Sequence, residues 1–188
     1  MIKLVIVCGK QGAGKDAVTD AIVAQSPDIF KRKIAYTTRA SRPFEVNGIH
    51  YHFISDEEFF NKLLDGSIIE ATDINGDMYG TGIENLSNEH INIGALDPAG
   101  IEILTHDKNI DMLVFYLDVP EHVRIIRVLK QNRGYTIPQI YDRYMFDEKA
   151  FKWLEKCGRV TTFKNDDDTD IETLSLVMAT VAKNYFKI

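Results

Sequence analysis

A glycine-rich stretch near the start of the chain has the spacing of a phosphate-binding loop. Residues 7–18 read VCGKQGAGKDAV, in which Gly9, Gly14 and Lys15 fit the pattern G-x-x-x-x-G-K. Backbone N–H groups of such a turn hold phosphate oxygens with the positive end of the next helix, and the lysine adds a charge. The residues expected to contact a nucleotide are Gly9, Gln11, Gly12, Ala13, Gly14, Lys15, Asp16 and Ala17. The alternative is a tight turn that only lets the helix pack closely.

The residue after the loop lysine departs from the usual pattern. Asp16 stands where a serine or threonine hydroxyl is expected to ligate Mg²⁺. A carboxylate is also a hard oxygen ligand, and Lys15, the helix dipole and the metal offset part of its repulsion of phosphates. We therefore predict that Asp16 is a metal ligand. The alternative is that Asp16 only favours the start of the helix.

The elements around the loop indicate an α/β fold. Residues 4–8 form an apolar run typical of a buried parallel strand, and residues 15–25 have helical spacing. Residues 33–90 break into short strand-like pieces around a capped helix, in which we expect Phe59 and Phe60 to be core residues. Further strands are predicted at 91–97, 112–119 and 159–165, and further helices at 123–129, 140–156 and 170–186.

A second group of residues is suited to an anion. Arg39 and Arg42 lie three residues apart, and Tyr51 follows in a strand-like piece after a turn. Guanidinium groups fit a terminal phosphate, and a tyrosine hydroxyl adds one directional hydrogen bond. Downstream, Tyr79 and Glu70 lie around another turn. None of these features by itself predicts an anion-binding site, so the prediction depends on their order along the chain.

The ordered set resembles the guanylate kinase family. Three motifs follow the phosphate loop: T-T-R-x-x-R at 37–42, E-x-x-G-x-x-Y-x-F at 45–53, and E-x-x-x-x-x-G-x-x-Y-G-T at 70–81. The resemblance continues through LDPAG at 96–100 and DRYMFDEKAF at 142–151. It implies a P-loop NTPase three-layer fold with a parallel central sheet, an inserted α+β monophosphate-binding subdomain and a helical lid.

The resemblance also implies a domain organisation and a role for each matching residue. The core would comprise 1–32, 91–129 and 150–188, the monophosphate-binding subdomain 33–90, and the lid 130–149. The acceptor phosphate would be held by Arg39, Arg42, Tyr51 and Tyr79, and the base would face Glu70, Thr81 and Asp97. Asp97 alternatively serves the metal through water. The catalytic cations would be Lys15, Arg39, Arg133 and Arg143.

The activity implied by this resemblance is transfer of phosphate from ATP, with Mg²⁺, to GMP or dGMP. Two departures leave other substrates open: Ala35 stands where the family commonly has a serine, and the G-K-D loop is similar to that of some phage-type deoxynucleoside monophosphate kinases. The alternatives are therefore a kinase of broader specificity and a binding module without catalysis. The retained loop argues against the second.

Composition limits the classes of partner. The net charge of −6 argues against a broad nucleic-acid-binding face, so an anionic ligand has to be met by a local basic cluster. The first residues, MIKLVIVCG, are too short and too soon interrupted for a signal peptide or membrane span. We therefore expect a cytoplasmic protein with no membrane or nucleic-acid partner. The sequence does not indicate its oligomeric state.

Overall fold

The computed structural model describes residues 1–74, 76–131, 134–154 and 160–188. A five-stranded parallel sheet forms its centre, with the strand order β2-β7-β1-β8-β9. These strands are β1 (Ile2–Cys8), β2 (Phe30–Arg32), β7 (Ile91–Gly94), β8 (Ile110–Asp118) and β9 (Val160–Lys164). Val5 of β1 lies opposite Ile93 on one side and Leu113 on the other.

The first strand shows why the molecule has three layers. Successive side chains of a strand point to opposite faces, and β1 is apolar at nearly every position. Leu4 and Ile6 pack into one hydrophobic cluster, while Val5 and Val7 pack into another on the opposite face. A strand that is buried on both faces requires helices on both sides of the sheet.

Six α-helices accompany the sheets among the described residues. They are α1 (Lys15–Gln25), α2 (Asp56–Leu64), α3 (Pro98–Thr105), α4 (Glu121–Lys130), α5 (Ile137–Ala150) and α6 (Ile171–Phe186). Side chains of α1, α4 and α6 share the cluster of Val5, whereas those of α3 share the cluster of Leu4. This arrangement confirms the predicted three-layer α/β class.

A second, smaller sheet lies within residues 36–82. It has the order β4-β3-β6-β5, made of β3 (Tyr36–Thr37), β4 (His52–Phe53), β5 (Ile68–Ile74) and β6 (Asp77–Gly82). β5 and β6 form an antiparallel hairpin, and α2 packs Phe59 against the sheet. A short 3₁₀ helix, Ile83–Asn85, follows β6. β5 also contacts α3 of the core, and this contact joins the smaller sheet to the layers around the parallel sheet.

Two details differ from the sequence-based expectations. Helix α5 begins at Ile137 and ends at Ala150, whereas the apolar spacing predicted 140–156. Thr136 and Gln139 form a capping box, and Pro138 sits in the first turn, where a proline is tolerated. In α2, Phe59 is fully buried as expected, but Phe60 is 49% exposed, so its assignment to the core was wrong.

Candidate functional site

The phosphate loop joins the end of β1 to the start of α1, at the carboxyl edge of the parallel sheet. Gly12 and Gly14 have φ angles of +81° and +87°, a region that side chains other than glycine rarely adopt. A β carbon on Gly12 would lie 2.5 Å from the carbonyl oxygen of Arg124 in α4. Glycine is therefore required here both by the backbone angle and by the approach of α4.

The lysine of the loop lies against the loop backbone. The Lys15 ammonium donates hydrogen bonds to the carbonyls of Gly9 at 2.7 Å and Lys10 at 3.4 Å. Burial lowers the pKa of Lys15 and the Arg143 cation lowers it further, while Asp147 and Asp16 act in the opposite direction. Two cations and two carboxylates thus lie within electrostatic reach of one another.

The phosphate loop is supported by hydrogen bonds from outside it. They involve Asn165 and Asp166, which follow β9, and Arg127 of α4. The buried Asn165 side chain donates to the carbonyl of Ala13 at 2.8 Å. Arg127 donates in turn to the carbonyl of Asn165 at 3.0 Å and to that of Asp166 at 2.8 Å. The loop is therefore supported by segments more than 100 positions later in the chain, and Asn165 was not among the predicted site residues.

Helix α5 reaches the loop through a carboxylate. Asp147 is fully buried, and its Oδ2 accepts a hydrogen bond from the backbone N–H of Gln11 at 2.6 Å. Its Oδ1 lies 3.0 Å from Nε of Arg143, although the pair is not aligned for a hydrogen bond. Arg143 thus lies beside a carboxylate that contacts the phosphate loop. Arg133, the other predicted lid cation, lies outside the described residues.

Asp16 and Ala17 occupy the first turn of α1. The side chain of Asp16 is 65% exposed, and its Oδ1 accepts from Nη2 of Arg32 at 2.9 Å. Arg32 also donates to Asp20, one helical turn further along. Asp16 is therefore held by a cation at the end of β2, and Ala17 is exposed beside it.

Two arginines, one glutamate and two tyrosines form a second polar group beside the smaller sheet. This group is called the arginine cluster below, and it comprises Arg39, Arg42, Glu45, Tyr51 and Tyr79. Arg39 donates through Nη1 and Nη2 to the two oxygens of Glu45, at 3.0 and 2.9 Å. Arg42 donates to the same carboxylate through its backbone N–H at 2.8 Å and its side chain at 3.3 Å. Burial alone would raise the pKa of Glu45, but these hydrogen bonds outweigh it and hold the pKa below its usual value.

The two tyrosines complete the arginine cluster. Arg39 Nε donates to the hydroxyl of Tyr79 at 3.1 Å, and its guanidinium lies 5.5 Å from the ring centroid of Tyr51. Burial raises the pKa of Tyr51 to about 12, and the charge of Asp16 contributes to the shift. The cluster is therefore within electrostatic reach of the phosphate loop. Arg42 also donates to the hydroxyl of Tyr135, just before α5.

A buried polar chain lies where β5, β6 and the end of β2 meet. Lys33 donates to the hydroxyl of Thr81 at 2.9 Å, and Thr81 donates to Oε2 of Glu70 at 2.8 Å. All three residues are at most 5% exposed. Burial raises the pKa of Glu70 and lowers that of Lys33, because each charged form is desolvated.

The fourth member of this pocket comes from the core. Asp97 precedes α3 and caps it by accepting the backbone N–H of Gly100 at 2.8 Å. A β carbon added at Gly100, the residue that Asp97 caps, would lie 2.6 Å from Oε1 of Glu70, so the capped start of α3 adjoins the buried carboxylate of Glu70. Glu70, Thr81 and Asp97 are thus brought together from three parts of the chain.

Four residues of this site were not assigned a role from the sequence, namely Lys33, Glu45, Asp147 and Asn165. Lys33 belongs to the basic run KRK, which predicts a solvated surface rather than a buried ammonium. Asp147 lies in a helical segment of mixed charge, and no local signal distinguishes it from its acidic neighbour Glu148. Glu45 is the first residue of the motif E-x-x-G-x-x-Y-x-F, but the motif alone assigned it no role.

The parallel sheet and the glycine loop define a P-loop NTPase fold. A solved structure described as guanylate kinase from Anaplasma phagocytophilum has the same fold, with a TM-score of 0.67 and 21% identity over 98% of this chain and 88% of that chain. A sequence model of the guanylate kinase family matches residues 1–167. The chain therefore belongs to the guanylate kinase family.

Curated relatives agree with this assignment. A protein named guanylate kinase from Chlamydia abortus is 31% identical over 134 residues, which cover 69% of this chain and 64% of the relative. One from Pseudomonas fluorescens is 32% identical over 76% of this chain and 69% of its own length. One from Shewanella denitrificans matches over 45% of this chain and 41% of its own. The match thus covers less than two thirds of the length of the Chlamydia abortus and Shewanella denitrificans relatives.

Proposed function

We propose that this protein is a nucleoside monophosphate kinase that transfers the γ-phosphoryl group of ATP to GMP or dGMP. The observation that carries the proposal is that both groups suited to anions are tied by hydrogen bonds to the same segment, helix α5 and the residues just before it. Tyr135 accepts from Arg42 of the arginine cluster, and Asp147 of α5 accepts from the backbone N–H of Gln11 in the phosphate loop. A module that only binds one phosphorylated ligand has no use for both sites.

The donor would occupy the phosphate loop. Backbone N–H groups from Gly9 to Ala17 would hold the phosphates of ATP, and Lys15 would neutralise charge on the transferred group. Arg143 lies close enough to share this task, and Arg133 is proposed to do so from the segment before α5. No covalent intermediate is needed, because in-line positioning and charge neutralisation suffice for phosphoryl transfer.

The acceptor would occupy the smaller sheet. Arg39 and Arg42, already oriented by Glu45, would bind its phosphate together with the hydroxyls of Tyr51 and Tyr79. The base would enter the pocket formed by Glu70, Thr81 and Asp97. A carboxylate accepts the N1–H of guanine, and adenine has no hydrogen at that position, so the wrong base would leave a buried charge unpaired.

Magnesium would be held beside the loop by Asp16. Among the described residues no group of three or more histidine, cysteine or acidic side chains could hold a metal ion. Mg²⁺ nevertheless fits, because it is commonly bound by one or two carboxylates together with substrate phosphates and water, and Asp16 presents an exposed carboxylate at the loop. When bound, the ion would neutralise charge on the β and γ phosphates.

The same proposal divides the chain into a core (1–32, 91–129 and 150–188), a monophosphate-binding subdomain (33–90) and a lid (130–149). Catalytic cations come from all three, so closure of the subdomains over both substrates would complete the site and exclude water. Contacts already link the parts, namely Gln11 with Asp147 and Arg42 with Tyr135. In the described part of the chain, no helix is long and apolar enough to cross a membrane.

Measuring ADP formation with GMP, dGMP, AMP, dTMP and UMP tests this function. We expect turnover with GMP or dGMP, and we expect Glu70→Gln to depress it far more than it depresses ATP binding. Glu58→Gln, on an exposed turn of α2, is the matched control. Absence of turnover with every monophosphate would refute the kinase, whereas equal losses for all monophosphates in Glu70→Gln would assign Glu70 only a role in folding.

A further inference from the structure

We propose that Lys33 reads the base of the monophosphate, by donating a hydrogen bond to a ring carbonyl oxygen that lies next to a ring N–H. The proposal rests on the proposed function, because it assumes that the base enters the pocket of Glu70, Thr81 and Asp97. It identifies the acceptor as a nucleotide with a lactam edge, a carbonyl beside an N–H. Guanine, hypoxanthine, thymine and uracil carry this edge; adenine and cytosine do not.

The first support is the burial of the ammonium. Lys33 is 5% exposed, and a buried lysine is costly unless its charge is used. Its backbone N–H is bonded to the carbonyl of Ile93 at 2.8 Å, which anchors the residue at the end of β2. Its stem runs along Gly94, where an added β carbon would lie 3.0 Å from the Lys33 Cβ. The core strands thus direct this ammonium into the pocket.

The second support is an orphaned oxygen beside it. Glu70 is 2% exposed, and its Oε1 has no hydrogen-bond partner among the described residues, although Oε2 accepts from Thr81. Oε1 lies against Gly100, where an added β carbon would be 2.6 Å away. A buried carboxylate oxygen without a donor costs free energy, and a ligand N–H would satisfy it.

The third support is the order of donors and acceptors. Thr81 links the two charges, accepting from Lys33 and donating to Glu70, so ammonium and carboxylate stand side by side. An ammonium has three donors, and Thr81 takes one of them. A donor beside an acceptor complements a carbonyl beside an N–H. Adenine presents the reverse order, an amine beside an unprotonated ring nitrogen. Ala35, two residues further on, has no side-chain donor that could serve instead.

The test combines a protein change with a substrate change. Replacing the carbonyl oxygen of GMP by sulfur gives 6-thio-GMP, which keeps the N1–H but has a weak acceptor at that position. The binding of GMP, 6-thio-GMP and AMP is measured by calorimetry for the wild-type protein and for Lys33→Met, and kcat/KM is measured with ATP. We expect wild-type protein to favour GMP over 6-thio-GMP roughly ten- to hundredfold, and Lys33→Met to lose most of that preference.

Controls separate base reading from folding. Lys31→Met removes an exposed lysine of β2, two residues before Lys33, and should leave the preference intact. Lys33→Gln keeps a neutral donor and should restore part of the preference. Equal affinity of wild-type protein for GMP and 6-thio-GMP would overturn the inference without any variant, and so would equal losses for both ligands in Lys33→Met. Selective binding without phosphoryl transfer would support the base reading while refuting the proposed kinase activity.

Discussion

The two proposed anion sites of this molecule are built in opposite ways. The phosphate loop uses backbone: two glycines with positive φ, a helix start, and one lysine within a stretch of nine residues. The arginine cluster uses side chains: two guanidiniums that are oriented by Glu45 and by tyrosines from two other segments. The loop is therefore sensitive to shape, whereas the cluster is sensitive to charge and hydrogen bonding.

The two kinds of site should respond differently to the same type of substitution. A backbone site tolerates changes of side chains that point away from it but not an added β carbon, while a side-chain site tolerates added atoms but not the loss of a carboxylate. Three variants and one pH series test this contrast, and each of the three variants should affect one substrate and spare the other.

The largest effect is expected from Gly12→Ala. The new β carbon would lie 2.5 Å from the Arg124 carbonyl at a φ of +81°, so the loop or α4 must move. We expect kcat/KM for ATP to fall by roughly a hundredfold or more, and the free energy of unfolding to fall by about 2 kcal/mol. Affinity for GMP, measured without ATP, should change little.

Gly66→Ala is the matched control for this variant. Gly66 has a similar φ of +80°, but no atom of the described residues lies within 4 Å of an added β carbon. Gly66→Ala therefore introduces backbone strain at a positive φ but no steric clash with a neighbouring element. If both alanine variants reduce ATP turnover equally, the close approach of α4 is not what the loop requires.

The next effect is expected from Glu45→Gln. The carboxylate accepts four hydrogen bonds, two at each oxygen, whereas the amide keeps one acceptor oxygen and replaces the other with an NH2 donor. Two of the four hydrogen bonds are therefore lost, together with the charge that orients Arg39 and Arg42. We expect KM for the monophosphate to rise roughly tenfold, with KM for ATP unchanged. Initial-rate kinetics at saturating ATP measure this, and Glu57→Gln on the exposed start of α2 is the control. A rise in both KM values would show that the two sites are not separable.

A several-fold effect is expected at Asp16, where backbone and side chain both contribute to the loop. At limiting Mg²⁺, Asp16→Ala should raise KM for ATP several-fold, while Asp16→Ser retains a hydroxyl ligand and should lie closer to the wild type. Asp20→Ala removes the other carboxylate bound by Arg32 and serves as control. Wild-type rates in both Asp16 variants would mean that the carboxylate has no metal role.

The smallest effect concerns pH and belongs to the arginine cluster alone. The pKa of Glu45 is lower in the folded protein than its ordinary value of 4.5, because hydrogen bonds from Arg39 and Arg42 outweigh burial. A group of this kind stabilises the fold above its unfolded pKa and loses that contribution as pH falls through the folded pKa. Urea unfolding between about pH 5 and pH 3 should therefore show a steeper loss of stability in wild-type protein than in Glu45→Gln. Parallel losses in the two proteins would contradict this.

Local features of the sequence predicted the phosphate loop and its helix well. Helix α1 spans Lys15–Gln25, as the spacing predicted, because a glycine turn starts it and Pro27 follows its end. The end of α5 could not be predicted in the same way. Its apolar spacing continues beyond Ala150, and the position at which a helix stops there depends on packing rather than on a local breaker.

The face of a helix that is buried also escapes local analysis. Phe59 and Phe60 are adjacent and identical in hydrophobicity, yet one is fully buried and the other is half exposed. Only the position of the small sheet against α2 distinguishes them. The same limit applied to Lys33, which lies in a run of basic residues, and to Asp147, whose burial depends on the contact of α5 with the phosphate loop.

The sequence alone determined the α/β class, the phosphate loop and the order of the monophosphate motifs. These depend on glycines, on apolar periodicity and on spacing within short segments, where each residue constrains its neighbours directly. Only the tertiary structure shows the buried polar chain that is proposed to bind the base, and the hydrogen bonds that support the phosphate loop. Lys33, Glu70, Thr81 and Asp97 come from the end of β2, the β5–β6 hairpin and the cap of α3, and Asn165 reaches Ala13 from 152 positions away. Contacts between residues so distant form only when hydrophobic burial brings the layers together, and no local pattern records them.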